Sequence, residues 1–124
     1  MAASDRSALL LARLLATTGT AHFVAPRPFD AIVPRVLPGE PRTWTYVSGA
    51  VELALAAGIA LPRTRRASAL LAAGFFTAVL PANVKMARDW RERPAPLRKA
   101  AYARLPLQAP LVLWALKVSR DNRP

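Results

Sequence analysis

The chain has 124 residues, 53% of them apolar, and carries 18 Lys or Arg against 7 Asp or Glu. That length holds one domain, and high apolarity beside a formal net charge of +11 suits a membrane protein with apolar spans and charged loops. The basic residues fall in the gaps between apolar runs rather than on one face among aromatic readers, which speaks against nucleic-acid binding. With no cysteine and a single histidine, His22, disulfides, thiolate catalysis and a self-sufficient zinc or haem site are excluded.

In chain order, the first apolar run covers residues 7–24, interrupted by Arg13 and closed by His22 and Phe23. Gly19-Thr20-Ala21 has the small residues of a signal-peptide cleavage site. Arg13 in mid-run and the length of the run argue instead for a retained first helix. Residues 25–43 hold five prolines and read as an ordered, non-helical re-entrant or surface loop. The second run, 44–61, has Tyr46 and Glu52 as its only ionisable side chains, and residues 61–66 form a tight basic turn. The third run, 67–84, contains no charge, and its helix is predicted over 67–87. A charged, proline-bearing loop at 88–99 leads to the fourth run, 105–118, which extends back to Ala100 if Arg104 is admitted.

Each of the first three runs, as a helix, rises roughly 27 Å, about the thickness of a hydrocarbon core. The fourth needs its flank, tilting or local thinning to span. A soluble helical bundle is the competing reading, but a soluble helix alternates a polar face with its apolar stripe. The third run has only Ser68, Thr77 and Asn83 as polar residues. Small residues at four-residue spacing (Ala50, Ala54, Gly58; Gly74, Ala78, Ala82) allow close helix packing in lipid. The expectation is an all-α, four-helix transmembrane bundle as a single domain over 1–124, with helices near 7–24, 44–61, 67–87 and 100–118.

Antiparallel spans put both termini and the 63–66 turn on one side and the two longer loops on the other. Phe23, Trp44, Tyr46, Trp90 and Tyr102 then gather at the long-loop side, with Trp114 opposite, as an interfacial aromatic belt requires. Ten Lys or Arg fall on the long-loop side against seven on the terminal side, which favours cytoplasmic long loops. Lys85, Arg88 and Lys99 are placed to contact anionic lipid headgroups. His22, Asn83, Arg104 and Gln108 come to the long-loop end, and Glu52 lies about 12 Å below Trp44. These five are the expected lining of a polar pocket for a ligand or a proton, since intramembrane ionisable groups face the bundle interior. Two fates are open for Glu52: pocket anchor, or partner in a buried ion pair with Arg13, which lies within roughly 5 Å of it in depth. His22 reads as a satisfied interfacial histidine or a proton carrier, and Asn83 as a partner for backbone groups freed by Pro81.

Gly19-Thr20-Ala21-His22-Phe23 with Pro28-Phe29 and Ile32-Val33-Pro34 resembles the first-helix signature of DoxX-like membrane proteins. Tyr46-Val47-Ser48-Gly49-Ala50-Val51-Glu52 is similar to that family's second helix. Leu80-Pro81-Ala82-Asn83-Val84-Lys85-Met86-Ala87 and Arg104-Leu105-Pro106-Leu107-Gln108 resemble its third and fourth. The resemblance implies a four-helix protein of the bacterial cytoplasmic membrane, related to a small subunit found with a membrane quinone oxidoreductase.

The functional expectation is a non-enzymatic accessory subunit in contact with membrane lipids and a membrane-protein partner, with no catalytic residue, metal or resident cofactor. The alternative is a quinone-linked component of a membrane oxidoreductase complex, in which His22 and Glu52 exchange protons with a quinone.

Overall fold

The computed structural model describes residues 2–31, 33, 37–89, 91–92 and 94–122, without the side chains at 82, 86, 89, 97 and 100–105. Of the residues named above, Ile32, Pro34 and Trp90 lie outside this set, as do three of the counted basic residues, Arg35, Arg93 and Arg123, and the side chains of Ala82, Met86, Tyr102, Arg104 and Leu105.

The protein is all-α, with no strand among the described residues. Its helices are α1 (Ala3–Val24), α2 (Arg27–Asp30), α3 (Pro41–Ala60), α4 (Arg65–Ala78), α5 (Leu80–Asp89) and α6 (Ala95–Asp121). The long helices begin earlier than their apolar runs. Proline explains two of these starts: Pro41 opens α3 and Pro94 immediately precedes α6, where a missing N–H does no harm and the fixed φ favours the first turn. In α1 the extra turn carries Asp5, whose charge complements the helix N-terminus.

Two expectations are corrected. Residues 25–43 are not wholly non-helical, since α2 forms within them. The third run is not one helix but two, separated by a turn at Val79. Pro81 has no N–H to give the carbonyl of Thr77, so the α-helical ladder cannot continue unbroken through this point.

Helix α1 packs between α3 and α6, and α4 between the same two, so the four long segments close into a ring. Two side-chain bonds show that both termini share an end with the 61–64 turn. Arg65 Nη1 donates to Asp5 Oδ1 at 2.8 Å, and Trp114 Nε1 donates to Ser7 Oγ at 2.8 Å. At the other end, Lys85 Nζ donates to the Ala31 carbonyl at 3.3 Å.

The core takes Ala8, Leu11, Ala12 and Leu15 from α1, at the spacing of one helical face. It adds Leu55, Ala56 and Ile59 from α3, Ala69, Ala72, Ala73 and Phe76 from α4, and Ala115 and Val118 from α6. With so much alanine inside, many large apolar side chains point outward, among them Val47, Leu53, Leu70, Leu71, Leu113 and Leu116. Among the described residues, two helical stretches are long and apolar enough to cross a membrane: Ala3–Val24 and Arg65–Lys85. The four expected spans thus reduce, by length and apolarity, to two.

Candidate functional site

The site begins with two glycines. Where α1 crosses α3, a Cβ on Gly19 would stand 3.0 Å from the Gly49 carbonyl oxygen and 3.1 Å from Glu52 Cβ. A Cβ on Gly49 would stand 2.7 Å from His22 Cβ and 2.8 Å from the Phe23 ring. Only residues without a side chain let the two backbones come this close. The crossing sets Thr18 and His22, neighbours on one face of α1 at i and i+4, directly against Glu52 of α3.

His22 and Glu52 are each 7% exposed. The Thr18 hydroxyl hydrogen-bonds to Glu52 Oε2. His22 Nδ1 lies 2.6 Å from the Thr18 carbonyl oxygen, and because a carbonyl only accepts, Nδ1 carries a proton. His22 Nε2 therefore holds the variable proton, and it faces Glu52 Oε1 at 3.7 Å. A bare imidazole nitrogen and an ionised carboxylate would be two acceptors facing each other. A single proton between them, on either partner, turns that contact favourable.

The pair is roofed rather than open. The Phe29 ring from α2 stacks on the imidazole with centroids 3.8 Å apart and planes inclined by 19°. Asp30, next in sequence, fastens α2 to the start of α3: its Oδ1 accepts from Thr45 Oγ1 at 2.6 Å and its Oδ2 from Arg42 Nε at 2.8 Å. Partial burial opposes ionisation of Asp30, but the hydrogen bonds from Thr45 and Arg42 and the Arg42 charge outweigh it and hold its carboxyl below its ordinary range. Beside this bracket, Phe23 stacks on Tyr46 at 5.2 Å, and the Arg42 guanidinium lies 5.7 Å from the Tyr46 ring centre.

Among the described side chains, Arg13, Asn83 and Gln108 do not join this cluster. Arg13 is exposed on α1, half a helical turn away from the face that carries His22. Thr18 and His22, not Arg13, are the α1 side chains set against Glu52. Asn83 and Gln108 are buried on α5 and α6, which pack on each other. Gln108 Nε2 donates to the Phe76 carbonyl, at the turn where the helical ladder is interrupted. The Asn83 Nδ2 is buried and has no hydrogen-bond partner among the described residues. Arg104 belongs to α6, but its side chain is outside the described residues. Lys85 is half-buried, while Arg88 and Lys99 are exposed.

Sequence reasoning missed Thr18, Phe29 and the Asp30–Thr45–Arg42 bracket. Thr18 carried a usable signal, since it precedes His22 by one helical turn. Phe29 and Asp30 carried none that would have set them over His22, because a proline-rich segment does not announce where it folds back.

No curated protein and no solved structure matches the chain. One family model does, a domain of unknown function (DUF8561), over residues 11–119. That match overturns the likeness to DoxX-like proteins, which rested on short motifs of glycine, proline and isolated polar residues that many small helical proteins repeat. Because it takes in most of the chain, including both glycines of the crossing, His22 and Glu52, the protein belongs to the DUF8561 family.

Proposed function

We propose that the chain is an integral membrane protein in which α1, α3, α4–α5 and α6 all cross the bilayer, and that it works as a non-enzymatic accessory subunit. Its His22–Glu52 pair is the proton-holding element through which it responds to a partner. The apolar outer faces of α3, α4 and α6 support the bilayer reading, since a soluble bundle buries such surface. The observation that carries the functional reading is the buried contact of His22 Nε2 with Glu52 Oε1. An ionisable pair inside an apolar bundle is expensive to keep and is by default functional.

The test has two arms. Native membranes washed with alkaline carbonate retain the chain if it spans them and release it if it does not. Affinity purification of the tagged chain in mild detergent, followed by mass spectrometry, then compares wild type with Glu52→Gln and His22→Ala. Loss of a co-purifying membrane protein in both variants, with the bundle still folded, is the expected result. Unchanged association and unchanged stability in both would remove the pair from the site.

The quinone-linked alternative draws on the same contact. Nδ1 is committed to the Thr18 carbonyl, so Nε2 and Glu52 form a one-proton relay that a quinone head could use. Electrons would have to come from a cofactor-bearing partner. Retention of quinone by the purified protein, lost in Glu52→Gln, favours this reading over the first.

A further inference from the structure

A second feature, remote from the His22–Glu52 pair in sequence, has the form of a ligand site. A groove of about 680 Å³ runs along α5 and the turn beyond it, within the roughly 300–1,000 Å³ usual for small-molecule sites. Leu80, Pro81 and Val84 line one stretch, and Lys85, Arg88 and Arg91 the next. On α5, residues 81, 84, 85 and 88 recur at the three- and four-residue spacing of one helical face, and Arg91 follows in the turn beyond it. From Leu80 to Arg88 the face climbs about 12 Å and changes from apolar to cationic. The described lining residues include three cations and no carboxylate. Lys85 reaches the Ala31 carbonyl at 3.3 Å, which puts the cationic stretch at the end of the bundle where the connecting segments lie.

We propose that this groove binds one anionic amphiphile, a lipid bearing a phosphate headgroup. The acyl chain lies over Leu80, Pro81 and Val84, and the phosphate lies among Lys85, Arg88 and Arg91. The graded face reproduces the order of groups in one lipid leaflet, with chain inward and headgroup outward. Basic side chains lining one stretch of a groove suit phosphate oxygens, to which charge-assisted hydrogen bonds are strong. A zwitterionic headgroup presents its own cation to the same residues and gains less. The proposal rests on the bilayer reading for the direction in which the chain points.

The test uses full-length protein in neutral detergent and native mass spectrometry with three probes: dioctanoyl phosphatidylglycerol, dioctanoyl phosphatidylcholine and glycerol phosphate. Phosphatidylglycerol is expected to bind about tenfold more tightly than phosphatidylcholine, an advantage that Arg88→Gln/Arg91→Gln removes. Arg6→Gln/Arg63→Gln, which removes two charges at the opposite end, keeps it. Val84→Glu, which puts a carboxylate on the apolar stretch, weakens phosphatidylglycerol binding at least as much. Equal binding of the two lipids overturns the proposal, as does an equal loss in the control variant. Displacement by glycerol phosphate at the lipid's own concentration reveals a site for the headgroup alone and overturns the amphiphile assignment. Carbonate release of the chain from membranes defeats the bilayer reading separately, because the detergent titration still reports whether the groove selects the lipid.

Discussion

Glu52 and Gln differ by one titratable proton and little in shape, which makes the substitution a clean probe of the buried pair. In Glu52→Gln the amide oxygen still accepts from Thr18 and the NH2 group can donate to His22 Nε2, so stability should change by only about 1 kcal/mol. Glu52→Ala removes its contacts with Thr18 and His22 and should cost about 3 kcal/mol. SDS titration of the two variants measures the difference, and equal losses would contradict the one-proton account. ¹⁵N spectra of His22 provide a second check: its neutral form should be the Nδ1–H tautomer, held by the Thr18 carbonyl at 2.6 Å. Asp30 supplies the acid-sensitive step. Its folded carboxyl titrates below the ordinary 3.8, so its contribution is present above the unfolded value and is lost as pH falls through the folded one. Acidification through that folded value, below 3.8, should therefore free α2 from α3. With Trp90 and Trp114 replaced by phenylalanine, Trp44, whose Nε1 donates to the Pro38 carbonyl at 2.7 Å, reports this step by fluorescence. Asp30→Asn should abolish the acid transition.

Among the elements, the α1–α3 crossing is the most exacting. Gly49→Ala drives a methyl group against His22 Cβ and should destabilise the bundle by about 1–3 kcal/mol through overpacking. Gly74 has nothing within 4 Å of an added Cβ, so Gly74→Ala on α4 should be neutral or mildly stabilising. Thermal unfolding of the two variants in one detergent separates them. The helices were legible because long apolar runs have few other destinies, and Pro81 foretold trouble in the third run. The position of the break was not legible, since the residues around Val79 are as apolar as any in a continuous helix. Glu52 and His22 were legible as costly groups, and their depths were readable from residue counts. Depth alone also matched Glu52 with Arg13, because the rotation of α3 about its own axis has no signature until Gly19 and Gly49 are seen in contact. Phe29 was out of reach for another reason: its position over His22 depends on Asp30 finding Thr45 and Arg42 across a proline-rich segment.

Across the whole molecule, Arg65 ties distant parts of the chain together. It is 3% exposed, with Nε donating to the Ile59 carbonyl at 2.6 Å, Nη2 to the Ala60 carbonyl at 3.0 Å and Nη1 to Asp5. One guanidinium thus closes the C-terminus of α3, opens α4 and holds the first turn of α1. Arg65→Ala should cost at least about 2 kcal/mol, because it strips charge-assisted bonds from two carbonyls. Arg65→Lys should recover little of that, since an ammonium cannot reproduce the planar fork. SDS titration reads both.

The close pairing of α1 with α3, and of α4 with α6, also bears on how the chain is assembled. Thr18, His22, Phe29 and Glu52 all lie before residue 61, so the first half leaves the ribosome with its α1–α3 crossing partners already present. The second half brings its own pair and meets the first through the α3–α4 turn. A chain cut after Pro62 and expressed as two pieces should therefore rejoin. Arg65, carried by the second piece, would act as the latch that recognises the first.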